Sequence, residues 1–165
     1  MPFNNSGNLF LPDIEATFSM LKKCVRCGII NSPYTLHDMN LFSFEVTDND
    51  IVMRTQSGIV ETTTPCRQLD GYIEFHNVQW DFSYVYLLSV TGNVGRFTGE
   101  KLFLKDFIER YKQFGLSIMD ETYDYNQTKY NGYLLANRQH CECVVEIYHE
   151  VIWYLLQKID KFQFV

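Results

Sequence analysis

The chain has 165 residues, a net charge of −6 and an isoelectric point near 5.1. This length fits a single domain, 1–165, in which residues 1–11 are expected to form an irregular N-terminal segment. The longest basic run is Lys22-Lys23, so the charge pattern predicts no binding to a nucleic-acid backbone and none to an anionic membrane.

The N-terminal residues 1–7 lack both the positive region and the apolar region of a signal peptide. The longest apolar stretches are interrupted by polar residues before they reach the length that spans a bilayer. Five cysteines are an odd number, which favours free thiols over a disulfide framework. We therefore expect a soluble, cytoplasmic protein without a cofactor.

The first predicted element is an N-terminal helix. Pro12 and Asp13 are typical of a helix start, and Gly28 is typical of a helix end. The apolar residues between them recur at helical spacing: Ile14, Phe18, Leu21 and Val25. This spacing places them on one face of the helix.

From Leu41 onward, apolar and polar residues alternate, which predicts β-strands. The strands are expected at 41–47, 51–56, 59–64, 72–80 and 82–90, with turn residues between them. Connections this short indicate an antiparallel meander. Its strand number is about five or six, because residues 96–105 fit either a sixth strand or the beginning of a helix.

A short helix and a loop are predicted next. Asp106 and Glu109 have the spacing of a capping box, and Gly115 is placed to end the helix that they begin. The polar stretch Asp120–Thr128 is interpreted as a loop.

The last predicted element is a long C-terminal helix. Its apolar stripe consists of Val144, Ile147, Tyr148, Val151, Leu155 and Ile159, widened by Ile152 and Leu156. A stripe this wide must pack on an apolar surface, for which the meander is the obvious partner. The predicted fold class is therefore α+β, with the meander packed against an N-terminal helix and a long C-terminal helix.

Two cysteine pairs have a spacing that is compatible with zinc: Cys24 with Cys27, and Cys141 with Cys143. Within helices these thiols would point apart or into the core, and free cysteine is commonly buried. No metal site is therefore predicted, although the sequence does not show whether the two pairs meet in space.

Candidate binding residues come from the acidic and aromatic positions. Asp120, Glu121 and Asp124 form the densest acidic cluster, which suits a basic protein partner. Aromatic residues make up 16% of the chain, and Tyr84 and Tyr86 alternate along one face of a predicted strand. Aromatic side chains are enriched at the centres of protein interfaces.

Three functions fit this pattern. The first is a non-catalytic protein-binding module, of the inhibitor, immunity or chaperone type, whose partner is another protein or a second copy of the chain. The second is a small-molecule binder with an aromatic-lined cavity between the sheet and the C-terminal helix. The third is a small enzyme that uses Cys66 with His76, or a histidine of the segment His140–His149.

Overall fold

The computed structural model describes residues 21–26, 32–88 and 99–157. Within these ranges the chain forms thirteen strands, one α-helix, α1 (Leu104–Arg110), and a turn of 3-10 helix at Trp80–Phe82. The strands are β1 (Leu21–Arg26), β2 (Tyr34–Thr35), β3 (Asn40–Thr47), β4 (Asp50–Thr55), β5 (Ile59–Glu61), β6 (Arg67–Leu69), β7 (Gly71–His76), β8 (Tyr84–Leu87), β9 (Glu100–Phe103), β10 (Gly115–Asp124), β11 (Gln127–Ala136), β12 (Gln139–Tyr148) and β13 (Val151–Gln157).

These strands form two sheets. The larger has ten strands in the order β1-β13-β7-β4-β3-β10-β11-β12-β8-β9, and the smaller has three in the order β2-β5-β6. Every described pair is antiparallel, which confirms that part of the prediction. The α+β class is wrong, because the described chain is predominantly β-sheet with one short helix. The meander of about five or six strands is also wrong, because β5 lies in the smaller sheet and β8 pairs with β9 and β12 rather than with β7.

The predicted N-terminal helix is contradicted where the structure describes it. Residues Leu21–Arg26 form β1, which pairs with β13 along its whole length. The rest of that helix prediction, and the irregular segment 1–11, lie outside the described residues. The pairing with β13 joins segments more than a hundred residues apart, and no local pattern indicates it.

The predicted C-terminal helix is also wrong where the structure describes it, because that part of the segment forms β12 and β13. Ile159, the last residue of its apolar stripe, lies outside the described residues. The buried side chains are Cys143, Val145 and Ile147 on β12, and Ile152, Tyr154 and Leu156 on β13. Each set alternates along its strand, but the inward side changes from odd to even numbers between the strands. Because of this change, the apolar residues do not keep one two-residue period across both strands, and their spacing resembles that of a helix. The abundance of β-branched and aromatic residues favoured strands throughout.

Two further expectations are resolved in the middle of the chain. Within 96–105, the described residues form β9 and then the beginning of α1. The N-cap of α1 is Phe103, which makes no side-chain capping bond, so the capping-box interpretation is wrong. Asp120–Thr128 is not a loop, because it belongs to β10 and β11 apart from the turn at 125–126. Its polar residues misled the prediction because most of them lie on the outer face of a sheet.

The large sheet folds over on itself. Neighbouring strands lie about 4.8 Å apart, so β13 and β10, with three strands between them, would be roughly 19 Å apart in a flat sheet. Yet the hydroxyl oxygens of Tyr154 on β13 and Tyr123 on β10 are 3.1 Å apart. The rings of Phe75 on β7 and Tyr130 on β11 are 6.5 Å apart. One half of the sheet (β1, β13, β7, β4, β3) therefore faces the other (β10, β11, β12, β8, β9).

The inner faces of the two halves meet in one hydrophobic core. Burying a large apolar or aromatic side chain stabilises the fold by about 1.5–3 kcal/mol. The largest fully buried side chains are Tyr130, Tyr154, Phe75, Phe107, Leu36, Leu41, Ile51, Met53, Ile59, Ile73, Leu104 and Leu116. Because the inner faces hold the core, the outer faces are the surfaces that remain for binding.

Candidate protein-binding surface

An aromatic surface lies on the outer face of β8, β9 and β12. On β8 the side chain of Val85 is buried in the core, and its neighbours Tyr84 and Tyr86 therefore point outward. The register places Tyr84 opposite Phe103 of β9 and opposite Glu146 of β12. The same side of the sheet thus collects aromatic residues from separate strands.

The rings form neighbouring pairs. Their centroids are 5.1 Å apart for Tyr84 and Phe103, 6.5 Å for Tyr84 and Tyr86, and 6.3 Å for Phe82 and Tyr148. Phe82 is 59% exposed and Phe103 is 48% exposed. We call these five residues (Phe82, Tyr84, Tyr86, Phe103 and Tyr148) the aromatic face.

Charged side chains border the aromatic face. The ammonium of Lys101 lies 3.5 Å from the centre of the Tyr84 ring and 5.4 Å from that of Tyr86. The Tyr86 hydroxyl donates to Glu146 Oε2 at 3.3 Å, and Lys129 Nζ pairs with Glu146 Oε1 at 2.7 Å. This hydrogen bond to Glu146 raises the pKa of Lys129. An apolar centre with a polar rim is the usual organisation of a protein interface.

The predicted acidic cluster is divided between the two sides of β10. Asp120 and Asp124 are exposed, whereas Glu121 is partly buried and turns toward the interior. The cause is a β-bulge between Ile118 and Asp120, where Met119 is the extra residue. One extra residue shifts the alternation of all residues that follow it.

Glu121 holds part of the small sheet against the large one. Its Oε1 accepts a hydrogen bond from Thr35 Oγ1, and its Oε2 accepts from the Leu36 amide at 3.1 Å. The Tyr123 hydroxyl donates to the same Oε2 at 2.6 Å and accepts from the Tyr154 hydroxyl at 3.1 Å. Burial raises the pKa of the Tyr123 phenol well above its ordinary value of 10. The carboxylate is thus engaged within the fold.

The histidine of the enzyme hypothesis lies between two carboxylates. His76 Nδ1 is 2.5 Å from Asp50 Oδ2, and its Nε2 is 3.2 Å from Glu74 Oε2. Its ring also packs on Trp153, with centroids 4.0 Å apart. Cys66 is exposed just before β6, a strand of the smaller sheet. The described contacts of His76 are therefore with carboxylates and an indole.

The other candidate histidines, at the ends of the segment His140–His149, lie in different surroundings. His140 is exposed on β12, whereas His149 is buried beside Thr128. An enzymatic function that uses these residues stays a prediction.

Cys66, Cys141 and Cys143 are free thiols. Cys141 and Cys143 lie two apart on a strand, so both side chains point to the same side of β12, and the helical interpretation of this pair is wrong. Burial raises the pKa of Cys141, and raises that of Cys143 to about 12. Cys24 lies in β1, and Cys27 is outside the described residues. No group of three or more His, Cys, Asp or Glu side chains suited to a metal ion occurs in the described part of the chain.

No helix within the described ranges has the length and apolarity needed to cross a membrane. No family model, no curated protein and no solved structure matches the chain.

The sequence indicated only part of the aromatic face. Tyr84 and Tyr86 alternate with buried positions, and this local signal was sufficient to single them out. Phe103 and Tyr148 belong to strands far apart in the chain, and only the register of the sheet brings them beside β8. Phe82 was predicted in the strand but lies in the 3-10 turn that precedes it.

Proposed function

We propose that this chain is a non-catalytic protein-binding module that binds a protein partner in the cytoplasm through its aromatic face. The observation that carries the proposal is the group of five neighbouring aromatic side chains on an outer sheet surface. Two of them, Phe82 and Phe103, are about half exposed. Exposed apolar patches on small proteins commonly mark interaction sites.

The chemistry of the aromatic face suits a protein more than a nucleic acid. Tyr and Phe provide a large contact area at a low cost in side-chain entropy. The chain has 14 basic and 20 acidic residues, a balance that opposes contact with a phosphate backbone. A net charge of −6 also favours a basic partner over a second copy of the chain.

The small-molecule alternative depended on a cavity beside the predicted C-terminal helix. That cavity was to lie between the sheet and a C-terminal helix, and the segment assigned to the helix forms β12 and β13 instead. Small-molecule binding elsewhere stays a prediction, and no observation on the described residues favours it over the aromatic face.

The first test is affinity capture from the native host with immobilised protein. A Phe82→Ser/Phe103→Ser variant removes the two most exposed rings of the aromatic face. We expect it to retain a specific partner at least tenfold more weakly than the wild type, because exposed aromatic anchors commonly carry much of an interface's binding energy. The affinity of the purified partner is then measured by isothermal titration calorimetry.

The matched control is Phe42→Ser/Tyr133→Ser. These residues are 45% and 51% exposed and lie on other parts of the large sheet. The control is expected to bind the partner like the wild type, and circular dichroism checks that both variants are folded. Equal binding by the wild type and the Phe82/Phe103 variant would contradict the proposal, as would repeated failure to capture any specific partner.

A further inference from the structure

Four connecting segments meet at one end of the molecule. The β3–β4 turn is joined to the segment after β7 by the Val78 amide, which donates to the Asn49 carbonyl at 2.8 Å. That segment is joined to the β12–β13 corner by the Gln79 amide, which donates to the Tyr148 carbonyl at 2.8 Å.

Two further bonds complete this arrangement. The His149 amide donates to the Asn126 carbonyl of the β10–β11 turn at 3.0 Å. The Asn77 side-chain amide donates to Glu150 Oε2 at 2.8 Å. The backbone therefore fixes segments 48–50, 76–82, 124–126 and 148–150 beside one another, and we call them the acidic end.

The acidic end carries negative charge and neither lysine nor arginine. Its carboxylates are Asp48, Asp50, Asp81, Asp124 and Glu150. All are exposed except Asp50, whose side chain is 35% exposed. They are five of the chain's 20 acidic residues and lie in segments without lysine or arginine, so negative charge is concentrated at this end.

Several of the described arginine and lysine side chains are paired with glutamates elsewhere on the surface. Four of them form ion pairs with glutamates outside the acidic end: Arg54 with Glu45, Arg67 with Glu61, Arg110 with Glu100, and Lys129 with Glu146. None of these four pairs involves a carboxylate of the acidic end, where Asp50 instead lies 2.5 Å from the imidazole of His76.

The acidic end is continuous with the aromatic face. Phe82 and Tyr148 belong to both, and the Tyr84 hydroxyl donates to the Asp81 carbonyl at 2.7 Å. Tyr125, in the β10–β11 turn, adds a ring that is 88% exposed. Aromatic rings and carboxylates thus share one surface.

We propose that this combined surface binds a basic, arginine-containing segment of the partner protein, an inference that rests on the proposed function. Guanidinium groups form hydrogen-bonded pairs with carboxylates and also stack on Tyr and Phe rings. The ammonium of Lys101, 3.5 Å from the Tyr84 ring, shows that this surface already accommodates a cation on an aromatic ring. The excess of negative charge would accelerate encounter with a basic partner at low salt.

The test starts with selection of phage-displayed random dodecapeptides on the immobilised wild-type protein. We expect the selected peptides to be enriched in arginine. Binding of a synthetic selected peptide is then measured by fluorescence polarisation for the Asp81→Lys/Asp124→Lys/Glu150→Lys variant. We expect at least a tenfold loss of affinity at low salt and a smaller loss at 0.5 M salt, where charges are screened to about 4 Å.

The control variant Glu45→Lys/Asp70→Lys/Glu109→Lys changes the net charge by the same amount on other parts of the surface. It is expected to lose less than threefold in affinity. Equal losses in the two variants would overturn the inference, because they would indicate an effect of net charge alone.

The other outcomes separate the two proposals. Selected peptides that lack basic residues, but require Phe82 and Phe103, would overturn the inference and support protein binding. Self-association of the wild type through the same surface, measured by light scattering, would replace the basic partner with a second copy. Failure to select any peptide would count against both proposals.

Discussion

His149 is a buried histidine at the corner where the chain passes from β12 to β13. Its side chain is held by Thr128, whose Oγ1 lies 2.8 Å from Nε2, and its ring lies 5.2 Å from the ring of Phe75. Its Nδ1 makes no hydrogen bond within the described part of the chain. Burial lowers the pKa of His149 from 6.5 to about 4. The imidazole is therefore neutral at pH 7.

This lowered pKa predicts a loss of stability in acid. The unfolded state binds a proton on this imidazole near pH 6.5, whereas the folded state binds it only near pH 4. The contribution of the neutral His149 to stability is therefore fully present above pH 6.5 and is lost as the pH falls from 6.5 to 4. The loss from this residue approaches about 3 kcal/mol at pH 4, on the basis of 1.36 kcal/mol per pKa unit.

Urea unfolding between pH 7 and pH 4 measures this effect. A His149→Gln variant should have a flatter stability profile than the wild type, and His140→Gln, which alters an exposed histidine, should not. The same pH dependence of the free energy of unfolding in the wild type and in His149→Gln would contradict the prediction.

At the scale of elements, the bulge in β10 depends on a glycine in the neighbouring strand. Gly132 of β11 lies opposite Ile118, and a Cβ at this position would meet the backbone carbonyl of Ser117 and come within 3.2 Å of Ile118 Cα. Backbone atoms cannot rotate away as a side chain does. Gly132 therefore permits the close approach of β10 at the bulge that turns Glu121 inward.

We expect Gly132→Ala to destabilise the protein by about 3 kcal/mol, because the added methyl group forces the two strands apart. Gly115→Ala is the matched control, since its Cβ would meet only Leu135 Cβ at an ordinary distance of 3.9 Å. Gly115→Ala should change the free energy of unfolding by no more than about 1 kcal/mol. Chemical denaturation of both variants measures the difference, and equal stabilities would contradict this account of the bulge.

At the scale of the whole molecule, one carboxylate connects the two sheets. Residues 32–36, which include β2, place Tyr34 and Leu36 in the core. Glu121 of the large sheet accepts hydrogen bonds from Thr35 and from the Leu36 amide. The smaller sheet is thus docked by apolar burial together with the charged acceptor Glu121.

Replacing Glu121 should increase local unfolding of residues 32–36. In Glu121→Ala the amide of Leu36, a fully buried residue, loses its partner at a cost of about 1–3 kcal/mol. We expect amide hydrogen exchange at Leu36 to accelerate by about tenfold or more, and that of β11 and β12 to change much less. Asp120→Ala, an exposed neighbour on β10, is the control. Uniform acceleration across both sheets would indicate global destabilisation and contradict a local role.

The hairpin of β3 and β4 could be predicted because its information is local, whereas the predicted meander failed where pairing is not local: β5 lies in the smaller sheet and β4 pairs with β7. Alternating residues and the turn Asp48-Asn49 define the hairpin of β3 and β4, whose partners are close in sequence. Tyr84 and Tyr86 could be singled out for the same reason, because alternation on one strand already separates an inner from an outer face.

By itself, the sequence determined an acidic, aromatic-rich chain with an antiparallel sheet in its first half. Only the tertiary structure decided that residues 144–156 form two strands in opposite halves of the sheet, since their spacing fits a helical stripe as well. Two strands are formed because each buries its apolar side chains on the inner face of its own half of the sheet. The same burial sets the register, which places Phe103 beside Tyr84 and Tyr148 beside Phe82, and joins the β10–β11 turn to the β12–β13 corner. The physical reason is that strand pairing joins distant segments, whereas a sequence pattern reports only on neighbours.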